Sequence, residues 1–259
     1  MQFIDSLAFI SNDSVWLFVI SFTVLSISAL VGKLLFHRLG QVRRGTDDEA
    51  KLILGAALSL LGLLIGFTLS MAIGGYNSRQ EAENAEAVAI RSVFMNSDLA
   101  DATIRSQIKA RLADYLQSRL TMYRSMAEES RDAARRQSLE LQNEIWSFAR
   151  QQAAAKPDPV SVVVLNSVAQ LATTQQHTVA QWRHQIPQPA WVLLILVGVF
   201  CNCLIGYTAR TIKKDKLIYI LPFMISLSFM MIAEIDAPGR GLIHVTPVNL
   251  ISLASALSV

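Results

Sequence analysis

Four stretches of this sequence contain no Asp, Glu, Lys or Arg and are dominated by apolar residues. They run from Ser14 to Gly32, from Leu52 to Ser78, between Arg183 and Arg210 (apolar from Trp191 to Tyr207), and between Lys216 and Glu234. A helix needs about 20 such residues, with a range of ~17–25, to cross the hydrocarbon core of a bilayer. The last stretch has 17 uncharged residues and is at the short end. In oil the backbone must satisfy its own polar groups, so each stretch is expected to be helical. Charged residues make up only 17% of the chain, against roughly 25% in soluble domains. The expected fold is therefore all-α: a polytopic membrane protein with four transmembrane helices, near 14–36, 52–76, 189–208 and 217–235, and a helical domain inserted between helices 2 and 3. The expected boundaries are 1–78 for the first helix pair, 79–186 for the insert, 187–236 for the second pair and 237–259 for a tail. The first stretch lacks a basic leader and a cleavage-type exit, so it reads as an uncleaved helix.

Orientation follows from Lys and Arg in the short loops. Lys33, Arg38, Arg43, Arg44 and Lys51 follow span 1, and Arg210, Lys213, Lys214 and Lys216 lie between spans 3 and 4. The opposite side has only Arg240. Nine against one places the short loops in the cytoplasm of a cell (inner) membrane protein, with the termini and the insert outside.

The insert holds 13 basic and 12 acidic residues. A helix is expected to continue from span 2 through Glu81–Met95, with Asn96, Ser97 and Asp98 interrupting it. Ile104, Ile108, Leu112, Tyr115, Leu116 and Leu120 recur at steps of three and four and form one apolar helical face. A third helix is expected over 133–155 with Leu141, Ile145 and Phe148 buried, and is ended by Pro157 and Pro159. A fourth runs from about Val160 to Arg183. In the tail, Thr246-Pro247 reads as an N-cap followed by proline at the first helical position. Asn249, Ser252, Ser255 and Ser258 then stripe a short helix that should lie in the membrane interface or dock on the bundle, where it contacts a subunit or lines a pore.

No catalytic constellation is visible. His37, His177, His184 and His244 are scattered, and there is no phosphate loop, zinc spacing or nucleophile motif. No enzyme activity, cofactor or metal is expected. The basic residues form no single patch, which argues against nucleic acid as a partner. Cys201 and Cys203 point to nearly opposite sides of a helix and cannot pair with each other; they read as small apolar residues.

Two places stand out. Gly55, Ser59, Gly62, Gly66, Ser70 and Gly74 form one stripe of small residues along span 2. Such a stripe lets another backbone come close, or lines a narrow pore in an oligomer, and the two are compatible around an axis. At the exit of span 4, Glu234 and Asp236 sit where the helix dipole disfavours negative charge. Arg79, Arg183 and Arg240 are candidate partners, in a cluster that either closes the bundle or forms an ion-attracting vestibule.

The run from Asp236 through Pro238, Arg240 and Gly241 to Val245 and Pro247 resembles the C-terminal signature of the bestrophin-like domain family. Arg79 followed by Glu86-Ala87 and Ile90 is a second match; Leu165-Asn166, Ile186-Pro187 and Gly206-Tyr207 are weaker ones. The resemblance implies four spans, long helices projecting between spans 2 and 3, and kinship with bestrophins, which are oligomeric anion channels. The chain departs from bestrophins in having a small-residue stripe where they have an aromatic neck, in showing no acidic calcium clasp, and in a charge bias that puts the insert outside. Two functions are carried forward. One is a homo-oligomeric ion channel for small anions, lined by helix 2. The other is a non-conducting assembly or signalling protein that binds a partner through its helical domain.

Overall fold

The computed structural model describes residues 14–39, 47–125, 127–208, 216–237, 243 and 245–257. Every element among them is helical. The helices are α1 (Ser14–Leu39), α2 (Asp47–Asn96), α3 (Ala102–Arg124), α4 (Glu128–Ala155), α5 (Pro159–Arg183), α6 (Gln188–Thr208), α7 (Ile220–Asp236) and α8 (Val248–Ala256). The chain divides into two compact units, residues 1–74 with 185–243, and residues 75–184 with 244–259.

In the first unit α1 packs along α6 and α7. Three helical segments, within 15–35, 49–99 and 159–208, are long and apolar enough to cross a membrane. α7 has 17 residues, about 26 Å of helix, and is preceded by a 3-10 turn over Lys216–Tyr219. Leu25, Leu61, Leu194, Cys201, Ile225 and Phe229 form the centre of this unit. Phe223 meets Phe18 edge-on at 5.6 Å, and Trp191 meets Phe229 at 6.4 Å, the T-shaped geometry that the ring quadrupole favours.

Gly32 and Gly206 set the distance between α1 and α6. A Cβ on Gly206 would lie 1.8 Å from the Ala29 carbonyl oxygen, and one on Gly32 would lie 1.9 Å from that of Cys203. Only glycine permits backbones this close. Ser28 adds a crosslink, its hydroxyl donating to the Val199 carbonyl at 2.7 Å.

In the second unit the residues of α2 from 75 onward share one core with α3, α4, α5 and α8. Ile104, Ile108, Leu112, Tyr115, Leu116 and Leu120 are all buried there. Leu141 and Ile145 are buried and Phe148 packs at the edge. α2 ends at Asn96 and a single 3-10 turn, Ser97–Leu99, follows. α4 starts at Glu128, five residues before the position expected from apolar periodicity. Its first turn carries Glu128 and Glu129, which the helix dipole favours at an N-terminus. α5 starts at Pro159, with Asp158 as N-cap accepting from the Ser161 amide at 2.7 Å. The β-branched run Val160–Leu165 is therefore the opening of a helix: a good cap and a proline at N1 outweigh its strand propensity.

α8 corrects the sequence reading. Pro247, not Thr246, occupies the cap position, and no side chain of the cap bonds the helix. A carboxylate from α2 takes that role instead, as described below. α8 packs against α3 and buries Leu250, Leu253 and Ala254.

Candidate functional site

α2 carries the small-residue stripe and, further along, Arg79 and Glu86 of the family match. In the first unit, Leu61, Thr68 and Ala72 are its buried positions, and Ala57, Leu58, Leu64 and Ile65 pack at the edge of the core. The small-residue stripe lies on another face. Gly55, Ser59, Gly62, Gly66, Ser70 and Gly74 are all exposed. A Cβ added at Gly55, Gly62, Gly66 or Gly74 would meet nothing within 4 Å. Among the described residues, the close packing that such a stripe permits is thus absent at these glycines, and is found instead at Gly32 and Gly206. Leu60, Leu63, Phe67 and Met71, which flank the stripe, are exposed too. Only 11% of the apolar window of α2 is buried inside the chain, against 28% for each of the other two candidate spans. The Ser59 hydroxyl donates to the Gly55 carbonyl at 3.0 Å, so the helix itself satisfies this polar group.

In the second unit the same helix carries three buried ionisable residues, Arg79, Glu83 and Glu86. Glu86 is fully buried and faces the equally buried Arg119 of α3. The guanidinium grips both carboxylate oxygens, with Nε donating to Oε1 and Nη2 to Oε2 at 2.9 Å. Tyr115 donates its hydroxyl to Oε1 at 2.8 Å and Thr178 of α5 donates to Oε2 at 3.2 Å. One carboxylate thereby ties three helices together. Burial would favour neutral Arg119, but Glu86 outweighs it and holds the guanidinium protonated above its usual range. Burial first, and the Glu86 charge second, push the Tyr115 hydroxyl well above its usual value. With both Glu86 oxygens bonded from α3 and α5, the network is a clamp between helices.

One turn earlier on α2, Glu83 is 1% exposed. Its Oε1 accepts from the Leu250 amide at 2.9 Å and its Oε2 from the Asn249 side chain at 2.7 Å. It acts as an N-cap supplied from outside α8.

Residue periodicity did not find these partners. Tyr115 was legible only as part of an apolar face, although Arg119, four residues on, was a charge in the same stripe and a signal that an acid lay opposite. Glu83, Thr178 and Asn249 are joined to their partners across 92 to 167 positions, and local spacing has no access to such pairs.

At the exit of α7, Glu234 is buried. Both carboxylate oxygens of Asp236 accept from the Ile186 amide, at 3.1 and 3.2 Å. This neighbour at the entry of α6 is a backbone donor and carries no charge. Arg183 is exposed at the end of α5. Pro238, Arg240 and Gly241 lie outside the described residues, as do His244 and Ser258. Cys201 is buried and Cys203 half-buried, both as free thiols. Among the described residues no group of three His, Cys, Asp or Glu converges on a common point.

The bestrophin-like domain family matches this sequence over residues 19–250. The chain belongs to that family. The bestrophin-like fold extends to solved structures. Three crystal structures of a bacterial bestrophin homologue from Klebsiella pneumoniae superpose with TM-scores of 0.63, 0.65 and 0.63 at 13%, 11% and 14% identity. They cover 92%, 94% and 95% of this bestrophin-like chain, and 97%, 97% and 96% of their own. At such identities the likeness is one of fold. A search of the curated proteins finds no match. The chain is thus a bestrophin-like membrane protein with helical, apolar spans.

Proposed function

We propose that this protein crosses the cell membrane four times and assembles as a homo-oligomer into an ion channel, with the stripe face of α2 lining the pathway and small anions as the permeant class. The observation that carries the reading is the open stripe. Gly55, Gly62, Gly66 and Gly74 have nothing within 4 Å of a Cβ position, on the apolar helix that is least buried by its own chain. Small residues and two hydroxyls on one such face suit a narrow path between copies better than contact with lipid tails, which gain nothing from glycine. The uncharged stretch between Lys51 and Arg79 contains no acid that would repel an anion. The anion class itself follows from the kinship with bestrophins.

α7, extended by its 3-10 turn, is taken as the fourth span. The charge bias of the short loops favours cytoplasmic loops and an extracytoplasmic helical unit. Glu234 and Asp236 are taken as part of the bundle end facing that unit's side of the membrane.

The test is ion flux from purified protein in liposomes. Wild-type oligomer should pass chloride or iodide, and Gly66→Leu should stop it while the oligomer still forms. A folded wild-type oligomer that passes no anion under several pH and ligand conditions sinks the channel reading and leaves the assembly reading standing. Orientation is tested by replacing Cys201 and Cys203, placing one cysteine at exposed Ser147 and labelling whole cells with an impermeant maleimide. Labelling is expected only if the helical unit is outside.

A further inference from the structure

We propose that α8 is a strap that opens separately from the rest of the helical unit, that Glu83 is the residue that closes it, and that its closure helps to set how α2 is held. The last part rests on the channel reading above; the first two do not.

α8 has nine residues, far below the ~12–15 at which an isolated helix becomes even marginally stable in water. It therefore exists only while docked. Its own apolar grip is Leu250, Leu253 and Ala254, flanked by buried Val245 and half-buried Leu257, while Val248 is 60% and Ile251 37% exposed. It also lacks a cap of its own, because Pro247 bonds nothing through its side chain. The orphan amide at the third helical position is met by Glu83 Oε1, and the neighbouring Asn249 side chain by Glu83 Oε2. Both donors belong to α8 and both are neutral. The carboxylate complements the positive end of the α8 dipole.

The contrast with Glu86, one turn further along α2, is what makes Glu83 a closure and not another clamp. Glu86 is held by Arg119, Tyr115 and Thr178 from α3 and α5, elements rooted deep in the core. Among the described residues, Glu83 accepts from the Leu250 amide and the Asn249 side chain, both in the first turn of one short helix. Among the described residues, the bonds that Glu83 loses when α8 leaves are those to Leu250 and Asn249, and none of the bonds to Glu86 comes from α8. The two carboxylates share one turn of α2, so the strap bears on the same helix that carries the stripe.

The experiment is hydrogen–deuterium exchange of the full-length protein in lipid nanodiscs, with flux measured on the same preparations. Glu83→Ala should speed exchange of amides in 248–256 tenfold or more, with α3, α4 and α5 unchanged. Glu83→Gln keeps one acceptor and should fall between. Asn249→Ala removes one bond from the strap side without touching the core and should raise exchange in 248–256 alone. Unchanged exchange in Glu83→Ala would overturn the closure. A rise spread evenly over α3–α5 would overturn the separate opening. If the strap loosens as expected, flux should depart from wild type threefold or more; wild-type flux from a loosened strap would overturn the link to α2. A wild-type protein with no flux at all would count against the channel reading, while the exchange result would still decide the strap.

Discussion

The two units hold their helices together by opposite means. In the first, α1 and α6 meet where side chains are missing: Gly32 and Gly206 let carbonyl oxygens come within reach of the neighbouring backbone. In the second, α2, α3 and α5 meet around a charge, the Glu86 carboxylate enclosed by Arg119, Tyr115 and Thr178. The difference follows from the medium expected around each. Lipid tails are as apolar as leucine, so close van der Waals contact decides association there. A core built in water gains from apolar burial and tolerates an ion pair whose every lone pair is satisfied. The comparison also isolates the α2 stripe, which has the glycines of the first kind of joint and, among the described residues, no neighbour to join.

The largest effect should come from the charged joint. Glu86→Ala leaves Arg119 buried without its counterion, a loss of about 3–5 kcal/mol, read as a fall in the midpoint of thermal or denaturant unfolding of the detergent-solubilised protein. Replacing both partners by apolar residues, Glu86→Leu with Arg119→Met, should recover most of it. If the double variant is as unstable as the single one, the joint is not primarily electrostatic.

Next comes the glycine joint. Gly206→Ala puts a methyl against a backbone carbonyl that cannot swing away, so the helices must part. The cost should be near the upper end of the ~1–3 kcal/mol typical of overpacking. A Gly206→Ala protein as stable as wild type would mean that α1 and α6 are not in the described register. Ser28→Ala in the same joint removes a single interhelical bond, worth about 0.6 kcal/mol on average inside a membrane, and should barely shift the unfolding midpoint.

Gly62→Ala on the stripe should leave folding of the single chain unchanged, because nothing lies within contact of the new methyl. Its effect, if the stripe faces other copies, should be on subunit association or flux, measured by crosslinking and by liposome assay. Equal damage to folding from Gly62→Ala and Gly206→Ala would erase the distinction between the two sets of glycines.

The smallest effect concerns a half-buried carboxyl. Asp158 is held below the usual carboxylate range, chiefly by the Ser161 amide it accepts from. Its folded value is depressed, so its contribution is present above the unfolded value of ~3.9 and lost as pH falls through the lower folded one. Exchange in the first turn of α5 should therefore rise only in acid, and Asp158→Asn should remove that pH dependence.

What could be read from the sequence depended on range. Three apolar segments long enough to cross a membrane were legible because a break in charge is a local property, and the α3 face from Ile104 to Leu120 because its periodicity is local too. The stripe was legible as a stripe, but not as open or closed, because Gly32 and Gly206 look no different from Gly62 and Gly66 until a neighbour is placed. Glu86 is marked by family resemblance, whereas Arg119 is a charge on an apolar face whose buried partner lies on another helix, beyond local spacing. The cap of α8 was misassigned for a related reason: Thr246-Pro247 satisfies the local rule, and the carboxylate that meets the helix lies 167 residues earlier.

The helical unit is assembled from two separated pieces of chain, 75–184 and 244–259. Between them the ribosome must make the ~60 residues that include α6 and α7, on the order of 3 to 12 s at ~5–20 residues per second. During that interval Glu83 has no helix end to meet, and the surface destined for Leu250 and Leu253 stays bare. A chaperone or a sister chain therefore has a short window in which to bind this surface, and completion of the unit reports that α6 and α7 have already been synthesised.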